Sequence, residues 1–66
     1  MNISETVSQM RKEAKLTQVE FSRRAGVGLR FIRDLEQGKK SLRMDKVITV
    51  LNFFGYHLEA VKNGPK

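Results

Sequence analysis

The sequence predicts an all-α fold: four short helices around a small core, followed by a short C-terminal β-strand that pairs across a dimer. Three observations point there. Apolar residues recur at helical spacings of three and four along most of the chain. Glycines 26, 38 and 55 each stand just past a periodic stretch, where helices stop. Only YHLEAV, residues 56–61, alternates weakly in the manner of a strand.

The first helix is expected over residues 2–15, with Ile3, Val7, Met10 and Ala14 on its inner face and Ser4 as a cap for its orphan N–H groups. Leu16 connects it to the second, which runs from Gln18 to about Ala25. Thr17 with Glu20 three residues on forms a capping box there. Phe21 and Ala25 face inward, with the small Ser22 between them, and Gly26 breaks the helix. The third helix spans about Gly28 to Gln37 and stops at Gly38. The basic loop KKSLR follows. A fourth helix starts near residues 43–45 and runs to Phe54, with Met44, Val47, Val50, Leu51 and Phe54 on its buried side, and Gly55 ends it. The strand, about residues 56–62, has no second strand in the chain to pair with, so it frays or joins its copy in another subunit. KNGPK reads as a polar, flexible terminus.

With 66 residues the chain reads as one domain. So small a domain is marginally stable and usually needs a disulfide, a metal or a partner. There is no cysteine, and the lone His57 cannot hold a structural zinc. By elimination, oligomerisation is the expected support. Nothing resembles a signal peptide or a membrane span, and a cysteine-free chain fits a reducing cytoplasm. No nucleophile–base arrangement, carboxylate pair or phosphate-cradling loop points to an enzyme, and no cofactor is expected.

The formal charge is +6, and it is not spread evenly. Between Arg11 and Arg43 ten bases face four acids; outside that window three bases balance three acids. A basic excess of this kind seeks a polyanion, and here it coincides with the two middle helices.

Two short helices joined by a glycine turn form a helix-turn-helix. LTQVEFSRRAGVGLRFIRDLEQG, residues 16–38, resembles the helix-turn-helix of the Cro-like, xenobiotic-response-element (XRE) type regulators, which share a lambda-repressor-like fold. The matching positions are Gln18 opening the second helix, Ser22 at the crossing, Gly26 in the turn, Val27, Ile32 and Leu35 on the inner face, and the closing LEQG. The short chain ending in GYHLEAV is similar to the HipB-like antitoxins. That branch dimerises partly through C-terminal strands and partners a HipA-type kinase toxin.

The resemblance implies double-stranded DNA as a partner and assigns roles. With the third helix in the major groove, its first turn, Gly28, Leu29 and Arg30, lies nearest the bases. The family's base-reading positions fall on Leu29, Arg30 and Asp34, where glutamines are common in relatives. Arg30 can donate twice to guanine O6 and N7, Leu29 can pack on a thymine methyl or on the core, and Asp34 can accept from cytosine N4. Arg33 reaches a base or a phosphate. Gln18, Thr17 and Gly28 stand at helix N-termini that suit a phosphate, with Gln18 also within reach of a base. Lys39, Lys40 and Arg43 are phosphate candidates from the loop. For Arg30 and Arg33 the plain alternative is a solvated helix face, and Arg23 and Arg24 read as solvated. Glu36 pairs, by resemblance, with Arg11 of the first helix as a structural ion pair. Phe31 is expected to pack rather than await a partner, and His57 to lie on the surface of the strand. Phe53, Tyr56, Leu58 and Ala60 are the expected dimer interface, with ordinary core as the alternative.

The resulting expectation is a dimeric repressor on a near-palindromic operator, the autoregulating antitoxin of a type II toxin–antitoxin pair. A phage-type or stand-alone regulator without a toxin is the alternative. A module that neutralises a partner enzyme is the alternative of another class.

Overall fold

Each helix of this chain opens on a residue that can leave the helical conformation and closes on one that takes a positive φ. The computed structural model describes residues 2–62, in the order α1 (Ile3–Glu13), α2 (Gln18–Ala25), α3 (Leu29–Glu36) and α4 (Met44–Phe53). α1 is capped by Asn2 rather than Ser4: the Asn2 side-chain oxygen accepts from the Glu5 backbone N–H at 2.9 Å. Asn2 has the extended backbone a cap requires, whereas Ser4 already lies inside the first turn. α2 carries the full capping box. Thr17 Oγ1 accepts from the Glu20 N–H at 3.0 Å, and a Glu20 carboxylate oxygen accepts from the Thr17 N–H at 2.9 Å.

The four C-termini share one device, in which an N–H beyond the helix reaches back five residues to close the last turn. The bonds are Leu16 N–H to Arg11 C=O, Val27 to Ser22, Lys39 to Asp34 and Tyr56 to Leu51, at 2.9–3.1 Å. Each lies just after a residue of positive φ: Lys15 (59°), Gly26 (74°), Gly38 (81°) and Gly55 (82°). Three glycines take this conformation freely. Lys15 does not, because its Cβ crowds the following carbonyl. α1 therefore ends at Glu13, two residues short of the expected boundary, and leaves Ala14 exposed.

The core is built from all four helices: Val7 of α1, Phe21 of α2, Ile32 and Leu35 of α3, and Val47, Val50 and Leu51 of α4. Met10, Leu16, Ala25, Val27, Phe31, Leu42, Phe54 and Leu58 pack around it. Phe21 stacks against Phe53 and Phe54, with ring centroids 5.7 and 5.1 Å away, in tilted arrangements favoured by aromatic quadrupoles. Besides Ala14, two expected core positions stay outside. Met44 lies on the same side of α4 as Leu51 but is the helix's first residue, beyond the reach of the core, and is 62% exposed. Ile3, in the first turn of α1, is 40% exposed for the same reason.

No strand forms among the described residues. Residues 57–62 lack regular structure, since a strand needs a second one to satisfy its N–H and C=O groups. Leu58 turns in against the core. The expected flexible terminus, residues 62–66, lies outside the described residues except for Lys62.

Two outcomes follow from these caps. Lys15→Gly removes the strain of a β-carbon at φ 59° and should raise stability by about 1 kcal/mol in urea denaturation. The Glu20 carboxyl is held below the ordinary glutamate range, first by its hydrogen bond with the Thr17 backbone, then by the Thr17 hydroxyl, and also by the nearby Arg24 and Arg23 charges. A depressed acid stabilises the fold above its unfolded pKa, and that contribution disappears as pH falls through the folded one. Thermal unfolding of Glu20→Gln should therefore show a flatter acid limb than the parent chain.

Candidate nucleic-acid interface

The turn between α2 and α3 is only Gly26, Val27 and Gly28. The N–H groups of Gly26 and Val27 both bond to Ser22 C=O, at 3.0 and 3.1 Å. Ser22 itself is 6% exposed, and its hydroxyl donates to Val19 C=O at 2.8 Å, so the crossing point carries no unsatisfied polar atom. Gly28 caps α3 with its backbone alone, and open space surrounds the place where a β-carbon would stand. The first-turn N–H groups of α3 therefore receive no side-chain cap, which leaves a partially positive helix end that an anion can satisfy.

α3 has two faces. Ile32 and Leu35 are buried. On the other side Leu29, Arg30, Arg33, Asp34 and Gln37 line one open cleft. Arg30, Arg33 and Gln37 are exposed, while Leu29 and Asp34 are half-buried. Among the described residues neither Arg30 nor Arg33 forms an ion pair. Asp34 stands 3.5 Å from Lys39 Nζ. Phe31, between the faces, packs against the core with Lys46 Nζ 6.0 Å from its ring centroid. In the loop Lys40 is exposed, and Arg43 grips Asp45 through Nε and Nη2 at 3.2 and 2.7 Å.

The outer ends of the hairpin meet at Glu36. Arg11 Nε donates to Glu36 Oε2 at 2.7 Å and Arg11 Nη2 to Oε1 at 3.0 Å, a bidentate pair. The side chains are only 12% and 7% exposed. Arg11 Nη1 also donates to Leu16 C=O at 2.8 Å, and Gln18 Nε2 to Glu36 Oε1 at 3.2 Å. One carboxylate at the end of α3 thus joins α1 to the first residue of α2, and Arg11 ties in the connector through Leu16.

Several expected site residues thus have an intramolecular partner that sequence reasoning did not anticipate. The amide nitrogen of Gln18 is engaged with Glu36, Arg43 with Asp45, and Lys39 with Asp34. Gln37 was not among the expected contacts, although it stands seven residues after Arg30, two turns on along the same face. Thr17, Gln18 and Gly28 sit at the N-termini of α2 and α3.

A profile of the helix-turn-helix family HTH_3, the Cro/XRE type, matches residues 7–61. The chain belongs to this family. Its helix-turn-helix is α2, the glycine turn and α3. The chain is also 42% identical, over 65 residues, to an uncharacterized HTH-type transcriptional regulator, y4mF, of Sinorhizobium fredii. The alignment spans 98% of this chain and 86% of that protein, so the likeness extends well beyond the helix-turn-helix.

Truncating Glu36 would strand the Arg11 guanidinium in a nearly closed site. Breaking such a pair costs about 3 kcal/mol or more, against a total of about 3–10 kcal/mol for a domain of this length. Glu36→Ala should lose most of its folded population in urea denaturation at neutral pH. Glu36→Gln, which keeps an acceptor for Arg11, should lose less.

Proposed function

We propose that this protein is a sequence-specific DNA-binding transcriptional repressor that acts as a homodimer on a near-palindromic operator. The observation that carries the reading is the outer face of α3: Arg30 and Arg33 are exposed and unpaired among the described residues, on a helix whose N-terminus has no side-chain cap, while Ile32 and Leu35 anchor the opposite side. A helix presented in this way fits the major groove, whose base edges side chains of its first turns can reach. The family and the description of the Sinorhizobium relative as a transcriptional regulator support it. In this reading Leu29, Arg30, Arg33 and Asp34 face bases. Gly28, Thr17 and the N–H groups that open α2 face phosphates, with Lys40 and, after release from Asp45, Arg43. Gln18 braces the site through Glu36, which leaves its amide oxygen for a phosphate or a base.

The dimer is proposed to form through the segment after Gly55. Among the described residues no strand pairs with residues 56–62, and Tyr56 and Val61 are 52% and 73% exposed. Phe53, 40% exposed, contributes what its contacts with Phe21 and Phe54 leave free, and Ala60 is exposed. Leu58 joins the chain's own core, and so belongs to the interface only at its edge. We further read the protein as a cytoplasmic, autoregulating HipB-like antitoxin whose partner is a HipA-type kinase toxin. This rests on the resemblance of the short chain ending in GYHLEAV to that branch. A phage-type or stand-alone regulator without a toxin is the second reading. A HipA-type coding sequence beside this gene decides between them.

A footprint on the DNA upstream of its own gene, at moderate salt, tests the proposal. Two-fold protection with half-sites one helical turn, about 34 Å, apart is expected; no protection by the folded protein overturns it. On the protected site Arg30→Ala should cost about 1–3 kcal/mol and relax one base position. Lys40→Ala should weaken operator and random duplex alike and lower the salt slope by about 0.9. Deletion of the residues after Gly55 should give a monomer in sedimentation, with weaker DNA binding and lower stability; a truncated chain that stays dimeric would sink the strand pairing.

A further inference from the structure

Asp34 is the one acid on the outer face of α3, and it is held in place twice. The Lys39 backbone N–H donates to Asp34 C=O at 3.0 Å, closing the helix after Gly38. The Lys39 ammonium then lies 3.5 Å from Asp34 Oδ2. The Asp34 side chain keeps 25% of its surface, in the cleft it shares with Arg30 and Gln37. An ionised carboxylate only accepts hydrogen bonds, and a guanidinium only donates them. In the major groove guanine offers two acceptors and thymine one, whereas cytosine N4 and adenine N6 are the donors. Arg30 and Asp34 are therefore readers of opposite polarity. Four helical residues separate them by about 6 Å, within two base steps of about 3.4 Å.

We propose that Arg30 and Asp34 act as a paired reader: each half-site holds a guanine read by Arg30 and, within two base steps, a base that presents an exocyclic amino group to Asp34. Lys39 is the positioning residue. Its ammonium offsets the carboxylate where phosphates would repel it, and leaves Oδ1 to accept from the base. The inference rests on the DNA-binding reading and adds what that reading lacks, a rule for the sequence and a reason for an acid on a polyanion-facing surface.

The test is selection from a duplex library with randomised half-sites, run with the parent chain and with Asp34→Ala, Asp34→Asn and Lys39→Ala, each checked for its fold by circular dichroism. The parent should select guanine within two steps of cytosine or adenine. Asp34→Ala should keep the guanine and lose the second preference by about tenfold to a hundredfold. Asp34→Asn, which preserves shape, should shift that position toward adenine, whose N6 and N7 match an amide. Lys39→Ala should weaken operator binding in the parent, and by less once Asp34→Asn has removed the carboxylate, a difference that a simple phosphate contact would not produce. Unchanged preferences in both Asp34 variants, or guanine or thymine at the Asp34-sensitive position, would overturn the paired reader and leave DNA binding intact. A folded parent chain that selects no sequence would overturn the DNA-binding reading, and this inference with it.

Discussion

The helix-turn-helix of this chain depends on one carboxylate. Glu36 ends α3, and its two oxygens accept from Arg11 on α1 and from Gln18 at the start of α2. The hairpin would otherwise be held by its three-residue turn and by the small apolar set of Phe21, Ile32 and Leu35. Hydrophobic contact is non-directional and would let α3 roll by several degrees at little cost. A bidentate guanidinium–carboxylate pair is directional, so it fixes the rotation of α3 about its own axis, and hence the direction in which Arg30 and Arg33 point. The desolvation of the two charges makes the net stabilisation modest. Its value to the molecule is orientation, which a core of seven buried side chains cannot supply alone.

The same economy governs where the helices stop. In a chain this short each helix end must be decided locally, since few tertiary contacts remain to correct it. Four left-handed residues do so, and each return bond sets the path of the next segment. At Gly38 the return brings Lys39 behind Asp34, and at Gly55 it sends Tyr56 and Leu58 back toward α1 and the core.

Much of this was legible in the sequence because it rests on signals one residue wide. Thr17 with Glu20, and glycines 26, 38 and 55, marked the start of α2 and three helix ends within a residue or two. Lys15 did not mark the end of α1, because a lysine carries no sign that it will adopt φ 59°. Met44 and Ile3 matched the helical period yet lie outside the core, since periodicity gives the direction of a side chain and not whether another element covers it. The candidate site was legible as a face, Arg30 to Asp34, but not as a network. The Gln18–Glu36 and Asp34–Lys39 contacts join residues that helical spacing alone does not pair. The tail was the least legible part. Its alternation suits a strand, but a strand is a property of two segments, and the described residues supply no partner for it.

The basic excess and the candidate reading surface are therefore different things. Of the ten bases between Arg11 and Arg43, three are matched by acids within the fold: Arg11 by Glu36, Lys39 by Asp34 and Arg43 by Asp45. Lys12, Lys15, Arg23, Arg24 and Lys40 are exposed over α1, α2 and the loop, where they raise the attraction of the whole domain for a polyanion. At physiological salt that attraction is screened within about 8 Å and does not discriminate between sequences. On the outer face of α3, Arg30 and Arg33 are the cations that pair with no acid among the described residues. In the proposed reading, charge brings the domain near the duplex, and the rotation of α3 set by Glu36, with the acid held by Lys39 beside the two arginines, decides what that face recognises.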